Sequence, residues 1–275
     1  MPEGVRPYPK WQGTLATATR VPAVAAQEVR RALRGNWALL AFLLGLVWGA
    51  ASIAELIQLR RDEAIAHDLD VYLAMLRQLR WFAVALAAAV GGPAILDDLR
   101  SGALELYLSR PLSRLGYVAG KAGAVLGLVA AVTVLPAVLY YLASLVFFRD
   151  HPDGWHALQG AGILSGFVWA ALVAGLALGL SCTMRSSRAA AILLFAGFVG
   201  LHIFAKALLA PITEDLRWRV LSPFYAMRAF ESVLFRTDYD PGFPTWWGVV
   251  AVLGLTVLGW SLVAARPPRA RGEAA

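Results

Sequence analysis

The sequence predicts an all-α polytopic membrane protein with six transmembrane helices, and three observations carry that expectation. Of 275 residues, 59% are hydrophobic and 16% charged, with a mean hydropathy of +0.61. A water-soluble domain carries about a quarter charged residues. Uncharged runs stand at Trp37–Ala54, Trp81–Leu96, Ala122–Phe148, Ala157–Met184, Ala189–Ala205 and Pro241–Ala265, and roughly 20 apolar residues cross a hydrocarbon core as a helix. None of these runs alternates apolar and polar residues as barrel strands do. Helices and closed barrels are the structures that satisfy their own backbone in lipid.

Taken in chain order, the first 36 residues hold six bases and lack the apolar core of a signal peptide. They read as a cytoplasmic segment, 1–36, with two alternatives for its later part. Ala25 to Arg34 either forms an amphipathic helix or belongs to a disordered basic arm with a short juxtamembrane helix. As a helix it turns Arg30, Arg31 and Arg34 to phosphate head groups while Val24, Val29 and Leu33 dip inward. One transmembrane domain, 37–265, follows, with spans at about 37–56, 78–96, 117–148, 158–184, 188–210 and 245–265. The second run is short and draws on Gln78 and Leu79; the fifth needs to continue past Lys206 toward Pro211. A cytoplasmic tail, 266–275, closes the chain.

Charge sets the orientation. With six spans, one side owns the N-terminal segment, 97–121, 185–188 and the tail, carrying fifteen Lys/Arg against six Asp/Glu. The other side owns 56–80, 149–156 and 206–240, with ten bases and eleven acids. Positive charge marks the cytoplasmic side, so both termini are expected there, in a cytoplasmic (inner) membrane. The basic balance is thereby a topological signal. No soluble face clusters bases with aromatic residues as a nucleic-acid binder does, and no nucleic-acid partner is expected.

Chemistry-bearing residues are sparse. Cys182 is the one cysteine and lies in the fourth span, which excludes an intramolecular disulfide or thiolate cluster. His151 and His156 fall in HPDGWH, where Pro152 and Gly154 mark a bend, so a solvated turn accounts for them better than a metal site. His202 and Lys206 share a helix face at i, i+4 spacing. They read either as an interface anchor, since Lys206 is about 27 Å along the axis from Arg188, or as part of a substrate path or interface. No HExxH, GxSxG or paired intramembrane carboxylates occur. LGYVAGKA, Leu115 to Ala122, lacks the first Gly and the final Ser/Thr of a phosphate-binding loop. No catalytic, metal or cofactor site is expected in this chain.

Between the second and third runs stands DDLRSGALELYLSRPLSRLGYVAGK, Asp97 to Lys121. Asp97 and Asp98 suit a helix start, where free N–H groups favour negative charge. Leu99, Ala103, Leu104, Leu106, Tyr107 and Leu108 then give about two turns with a broad apolar face. Pro111 stops the helix, and Ser113 is placed to cap the third span, whose inner end carries Arg114 and Lys121. Such a helix is too short and charged to cross a membrane. It is either a lever fixed between two spans or a plain interfacial connector.

This segment resembles that of ABC-2 type transporter permeases. The likeness rests on Asp98, Arg100, Gly102, Leu104-Glu105, Leu108, Ser109, Pro111, Ser113-Arg114 and Gly120-Lys121. It is most similar to the short six-span permeases grouped with the nitrous-oxide-reductase maturation transporter. Asp98 stands where that family often has Glu, and Ala103 where Thr is common. The resemblance implies a type V exporter-like fold, with Ala25–Arg34 as elbow helix and 97–116 as a cytoplasmic coupling helix region. Pro211 to Phe235, within 211–240, would form outer re-entrant helices broken at Ser222-Pro223; an ordinary interfacial helix is the other reading.

The implied partners are a separate ABC ATPase subunit that binds ATP and magnesium, a second permease copy, membrane lipid and an external accessory protein. The implied coupling residues are Asp98, Arg100, Gly102, Leu104, Glu105, Leu108, Pro111, Arg114 and Lys121. Gly91-Gly92-Pro93 and Pro136 weaken their helical ladders and are candidate hinges. The function expected is an exporter permease that forms the path and performs no chemistry. The alternative is a force-transmitting subunit of an ATPase-driven assembly that works on an external partner. An intramembrane enzyme is disfavoured by the missing catalytic sets.

Overall fold

In the computed structural model the described residues are 20–61, 68–104, 113–147, 155–237 and 240–265. They contain helices and no strand. An amphipathic helix, α1 (Arg20–Arg34), leads directly into α2 (Asn36–Arg61). Then come α3 (Asp68–Ser101), α4 (Arg114–Phe147), α5 (Trp155–Thr183) and α6 (Ser187–Ile203). A π-helical stretch, Phe204–Leu209, and a last turn, Ala210–Thr213, prolong α6. A 3-10 helix (Leu216–Leu221), α7 (Pro223–Phe235) and α8 (Thr245–Ala265) complete the fold. Six helices are long and apolar enough to cross a membrane: α2, α3, α4, α5, α6 with its extension, and α8.

Burial ranks these helices. The apolar windows of α3, α5 and α4 are 72%, 61% and 50% buried, against 22%, 17% and 22% for α2, α6 and α8. The central helix is α3, which packs against α2, α4, α5 and α6, while α8 leans on α5 and α7. Leu79, Ala83, Leu86, Ala87 and Ala94 of α3 are fully buried. Small side chains along it admit close neighbours, as interfaces between helices in lipid require.

Local rules account for several ends. Ser113 caps α4 as expected, its Oγ accepting from Gly116 N–H at 3.0 Å. Ser186 caps α6 and Ser222 caps α7, and Pro223 occupies the first helical turn. Glu214 and Arg236 take left-handed backbone at the reversals before the 3-10 helix and after α7.

Two expectations are corrected. Asp97 and Asp98 do not start a helix; they lie in the last turns of α3, which runs on to Ser101. Nothing breaks α3 before Gly102, whose φ of +73° is open to glycine, and cations described below offset the acids at this helix end. Arg80, counted among the outer charges of 56–80 although the expected span 78–96 also includes it, lies inside α3 and is buried, because an acid from α7 meets it. Glu105, Leu108 and Pro111, most of the expected coupling helix, and His151 in its turn lie outside the described residues.

Candidate functional site

The sequence singled out 97–121 as either a lever or an interfacial connector, and the described ends of that segment converge on α1. Asp98 is the hub. Its Oδ1 accepts from Arg31 at 3.0 Å and its Oδ2 accepts from the Tyr117 hydroxyl at 2.8 Å. The Lys121 ammonium lies 2.8 Å from Oδ2 and also pairs with Glu28. Asp97 accepts from Arg31 at 2.8 Å and from the Ser187 hydroxyl. Arg100 donates to the Arg185 carbonyl in the turn between α5 and α6. One cluster thus joins α1, the end of α3, the start of α4 and the start of α6, on a single side of the bundle.

Lys121, Asp98 and Glu28 are nearly inaccessible, with side chains 2%, 7% and 5% exposed, while Arg31 is 44% exposed. Each buried charge is therefore dependent on its partners, since an unpaired charge out of water costs several kcal/mol. Above the cluster, Val24, Leu104 and Tyr117 form a separate apolar core, with Leu99 and Val118 against it. A methyl on Gly120 would come within 2.9 Å of the Val24 side chain, so only glycine lets α1 lie this close to α4.

Of the residues expected to couple, Asp98, Leu104 and Lys121 are brought together. Arg100 reaches across to Arg185, Gly102 makes the turn, and Arg114 opens α4. Glu28 and Tyr117 were missed. Glu28 has a legible signal: it is four residues after Val24 and shares its inward face. Arg31, read from the sequence as facing head groups, turns instead to Asp97 and Asp98.

The hinge candidates sit in continuous helices. Pro93 cannot donate to the Ala89 carbonyl four residues back, and Ser181 of α5 meets α3 on the C-terminal side of that gap. Its hydroxyl donates to the Gly92 carbonyl at 2.8 Å and accepts from Ile95 and Leu96 N–H at 3.3 Å each. Gly91 faces Ala177 and Gly92 faces Ala191. Pro136 is buried in α4 against Gly49 of α2, and Thr133 bridges to the Gly166 carbonyl at 3.1 Å.

At the far end of the bundle is a second polar site. Arg80 and Glu231, each side chain 4% exposed, form an ion pair between α3 and α7. The Ser165 hydroxyl donates to Glu231 at 2.6 Å, and the Arg80 guanidinium lies 5.6 Å from the Trp169 ring centre. Beside it, Trp81 stacks on Phe224 at 4.1 Å. His202 Nδ1 is 2.9 Å from the Ser222 hydroxyl, and its ring stacks on Tyr225 at 5.2 Å. Lys206 is exposed in the π-helical stretch. The hydrogen bond to His202 places Ser222 well back along α6, so the chain turns at Glu214 and returns beside that helix before α7 rises. Trp169 and Tyr140 are buried core residues.

No curated protein matches the chain. A family model described as ABC-2 family transporter protein matches residues 22–266, which takes in most of α1, all six spanning helices and both polar sites. The chain belongs to the ABC-2 transporter family: it is a multi-pass membrane permease subunit of an ABC transporter, and this membership implies association with an ABC ATPase subunit.

Proposed function

We propose that this subunit belongs to an exporter of the short six-span kind, close to the nitrous-oxide-reductase maturation permeases. A separate ATPase subunit drives it by pushing on the segment between Asp98 and Lys121. ATP and magnesium bind in that partner, and the termini and the 97–121 segment face it from the cytoplasm of an inner membrane. Two permease copies pair around the path, and an external accessory protein is open to them on the other side. Ala25–Arg34 serves as the elbow helix. The hairpin 211–240 re-enters the outer leaflet, as the return of Ser222 to His202 supports.

One observation carries this reading: the Glu28–Lys121–Asp98–Arg31 cluster ties both ends of the segment to α1. A push on the segment is then delivered to α1, α3 and α4 together rather than lost in bending one loop. Movement of packed helices as rigid bodies is the established form of such switching. The 91–93 and 136 regions supply the bend, and His202 with the adjoining aromatic rings lines the far side.

The test is capture of the cognate ATPase subunit. Glu105→Arg with Leu108→Asp leaves the chain in the membrane and reduces the captured ATPase at least tenfold. Capture at the wild-type level overturns the assignment of the segment as the docking element.

A further inference from the structure

Helix α6 is seated on the bundle by one narrow seam. Ala190, Leu194 and Phe198 are buried at four-residue spacing, while Ile192, Leu193, Phe195 and Leu201 stand exposed. A row of this spacing forms a single ridge, and small sliding of packed helices is an established form of motion. With so little of α6 buried, its polar attachments at the two ends carry much of what holds it.

The inner end is tied to the last turns of α3. The Ser187 hydroxyl donates to Asp97, and the Arg100 guanidinium donates to the Arg185 carbonyl in the turn that precedes α6. Asp97 and Arg100 both lie beyond Pro93, where α3 lacks one ladder hydrogen bond. A methyl on Gly92 would come within 3.1 Å of the Ala191 side chain and 3.2 Å of the Ser187 carbonyl, so α3 and α6 approach closely at that gap. The start of α6 thus belongs with the short end of α3, 97–101, and follows it when α3 bends beside Pro93.

The outer end is tied to the start of α7. His202, about 22 Å further along the axis, bonds to the Ser222 hydroxyl at 2.9 Å. That same oxygen accepts from Tyr225 N–H to cap α7. Glu231, further along α7, is paired instead with Arg80, which lies in α3 before Pro93. Helix α7 therefore has its first turn on α6 and its later turns on the other part of α3. A displacement of α6 against α3 is concentrated where those two attachments diverge, at Ser222–Tyr225.

We propose that α6 is a connecting rod that carries movement of the 97–101 end of α3 to the first turn of α7. Ser187 and Arg100 are its inner positioning residues and His202 is its outer one. This rests on the reading above, in which the ATPase subunit pushes on the segment between Asp98 and Lys121. It adds a route to the outer hairpin that the ties to α1, α3 and α4 do not provide.

The experiment uses the full chain with its cognate ATPase subunit in nanodiscs. Amide hydrogen exchange is compared without nucleotide and with ATP trapped by vanadate. In the wild type, amides within 216–225 change rate by about threefold or more between the two states, the mark of a local opening, and amides within 228–235 change less. Ser187→Ala with Arg100→Met cuts the inner tie: α1 still responds to nucleotide and the change at 216–225 is lost. Ser187→Thr, which keeps the hydroxyl, keeps the response. His202→Phe keeps an aromatic ring against Tyr225 without the bond to Ser222, and it too loses the change at 216–225 while α1 responds. A full hairpin response in the Ser187–Arg100 variant overturns the proposal, as does a wild type in which α1 responds and 216–225 does not. Loss of the α1 response in that variant also overturns it, because the tie then serves the docking segment itself. A wild type that captures no ATPase, or in which neither region responds, overturns the underlying reading and the rod with it.

Discussion

Two charged sites lie about 27 Å apart along α3, one in its last turns and one about a third of the way along it, and they are built differently. At the first, Glu28, Arg31, Asp97, Asp98 and Lys121 share contacts across α1, α3 and α4, and Arg31 keeps 44% of its side chain accessible. At the other, Arg80 and Glu231 form a dry pair between two helices, closed by Ser165 and the Trp169 ring. The network has two cations, Arg31 and Lys121, for its three acids, so Asp98 keeps one when the other is lost. The isolated pair has no reserve. The first arrangement suits a junction whose charges share partners as it shifts, and the second suits a clamp that fixes α7 to the bundle.

The largest effect expected from this difference is at the clamp. Glu231→Ala leaves the buried Arg80 guanidinium without a counter-ion, which costs about 3–5 kcal/mol. Arg80→Met with Glu231→Leu removes both charges and returns stability to within about 1 kcal/mol of the wild type, read by equilibrium unfolding in detergent. A single variant no less stable than the double one would show that the pair carries no such dependence.

At the network the same operation costs less. Lys121→Met leaves Glu28 and Asp98 without the cation between them, but Arg31 and Tyr117 still hold Asp98. A loss of about 2–3 kcal/mol is expected. Its particular mark is faster amide hydrogen exchange in α1, because Glu28 is the tie broken. Adding Glu28→Leu recovers most of the stability. If exchange in α1 stays at the wild-type rate in Lys121→Met, then Val24 and Gly120 hold that helix without help from charge.

The contrast also explains what the sequence makes legible. Six spans follow from uncharged runs, since lipid exposure over most of α2, α6 and α8 leaves only apolar side chains there. The Ser113 cap and the break at Ser222-Pro223 are local and readable from neighbours. The Arg80–Glu231 pair is not, because counting charges by side puts Arg80 with the outer segment 56–80, at the edge of its span. Its partner is 151 positions away on a helix that returns into the bundle. The continuation of α3 through Asp97 and Asp98 is hidden for the same reason: the cations that permit acids at a helix C-terminus come from α1 and α4. Both misreadings are of charges that find distant partners.

The smallest effect tests the stretch between the two sites. Pro93 cannot donate to α3's ladder, and on the C-terminal side of that gap the Ser181 hydroxyl is bonded to Gly92, Ile95 and Leu96. Hydrogen bonds between helices in lipid average about 0.6 kcal/mol, so Ser181→Ala should change global stability by about 1 kcal/mol or less. Its consequence is local: the Ile95 and Leu96 amides exchange severalfold faster, while amides near Arg80 and Asp98 keep their rates. Uniform acceleration along α3 would mean that the helix responds as one rod, and that clamp and network are not separated by a softer joint. Unchanged exchange at both amides would mean that α3 closes its own ladder past Pro93 and that Ser181 merely packs there. Localised acceleration makes 91–96 the place where α3 yields, with each charged site holding its own half of the helix.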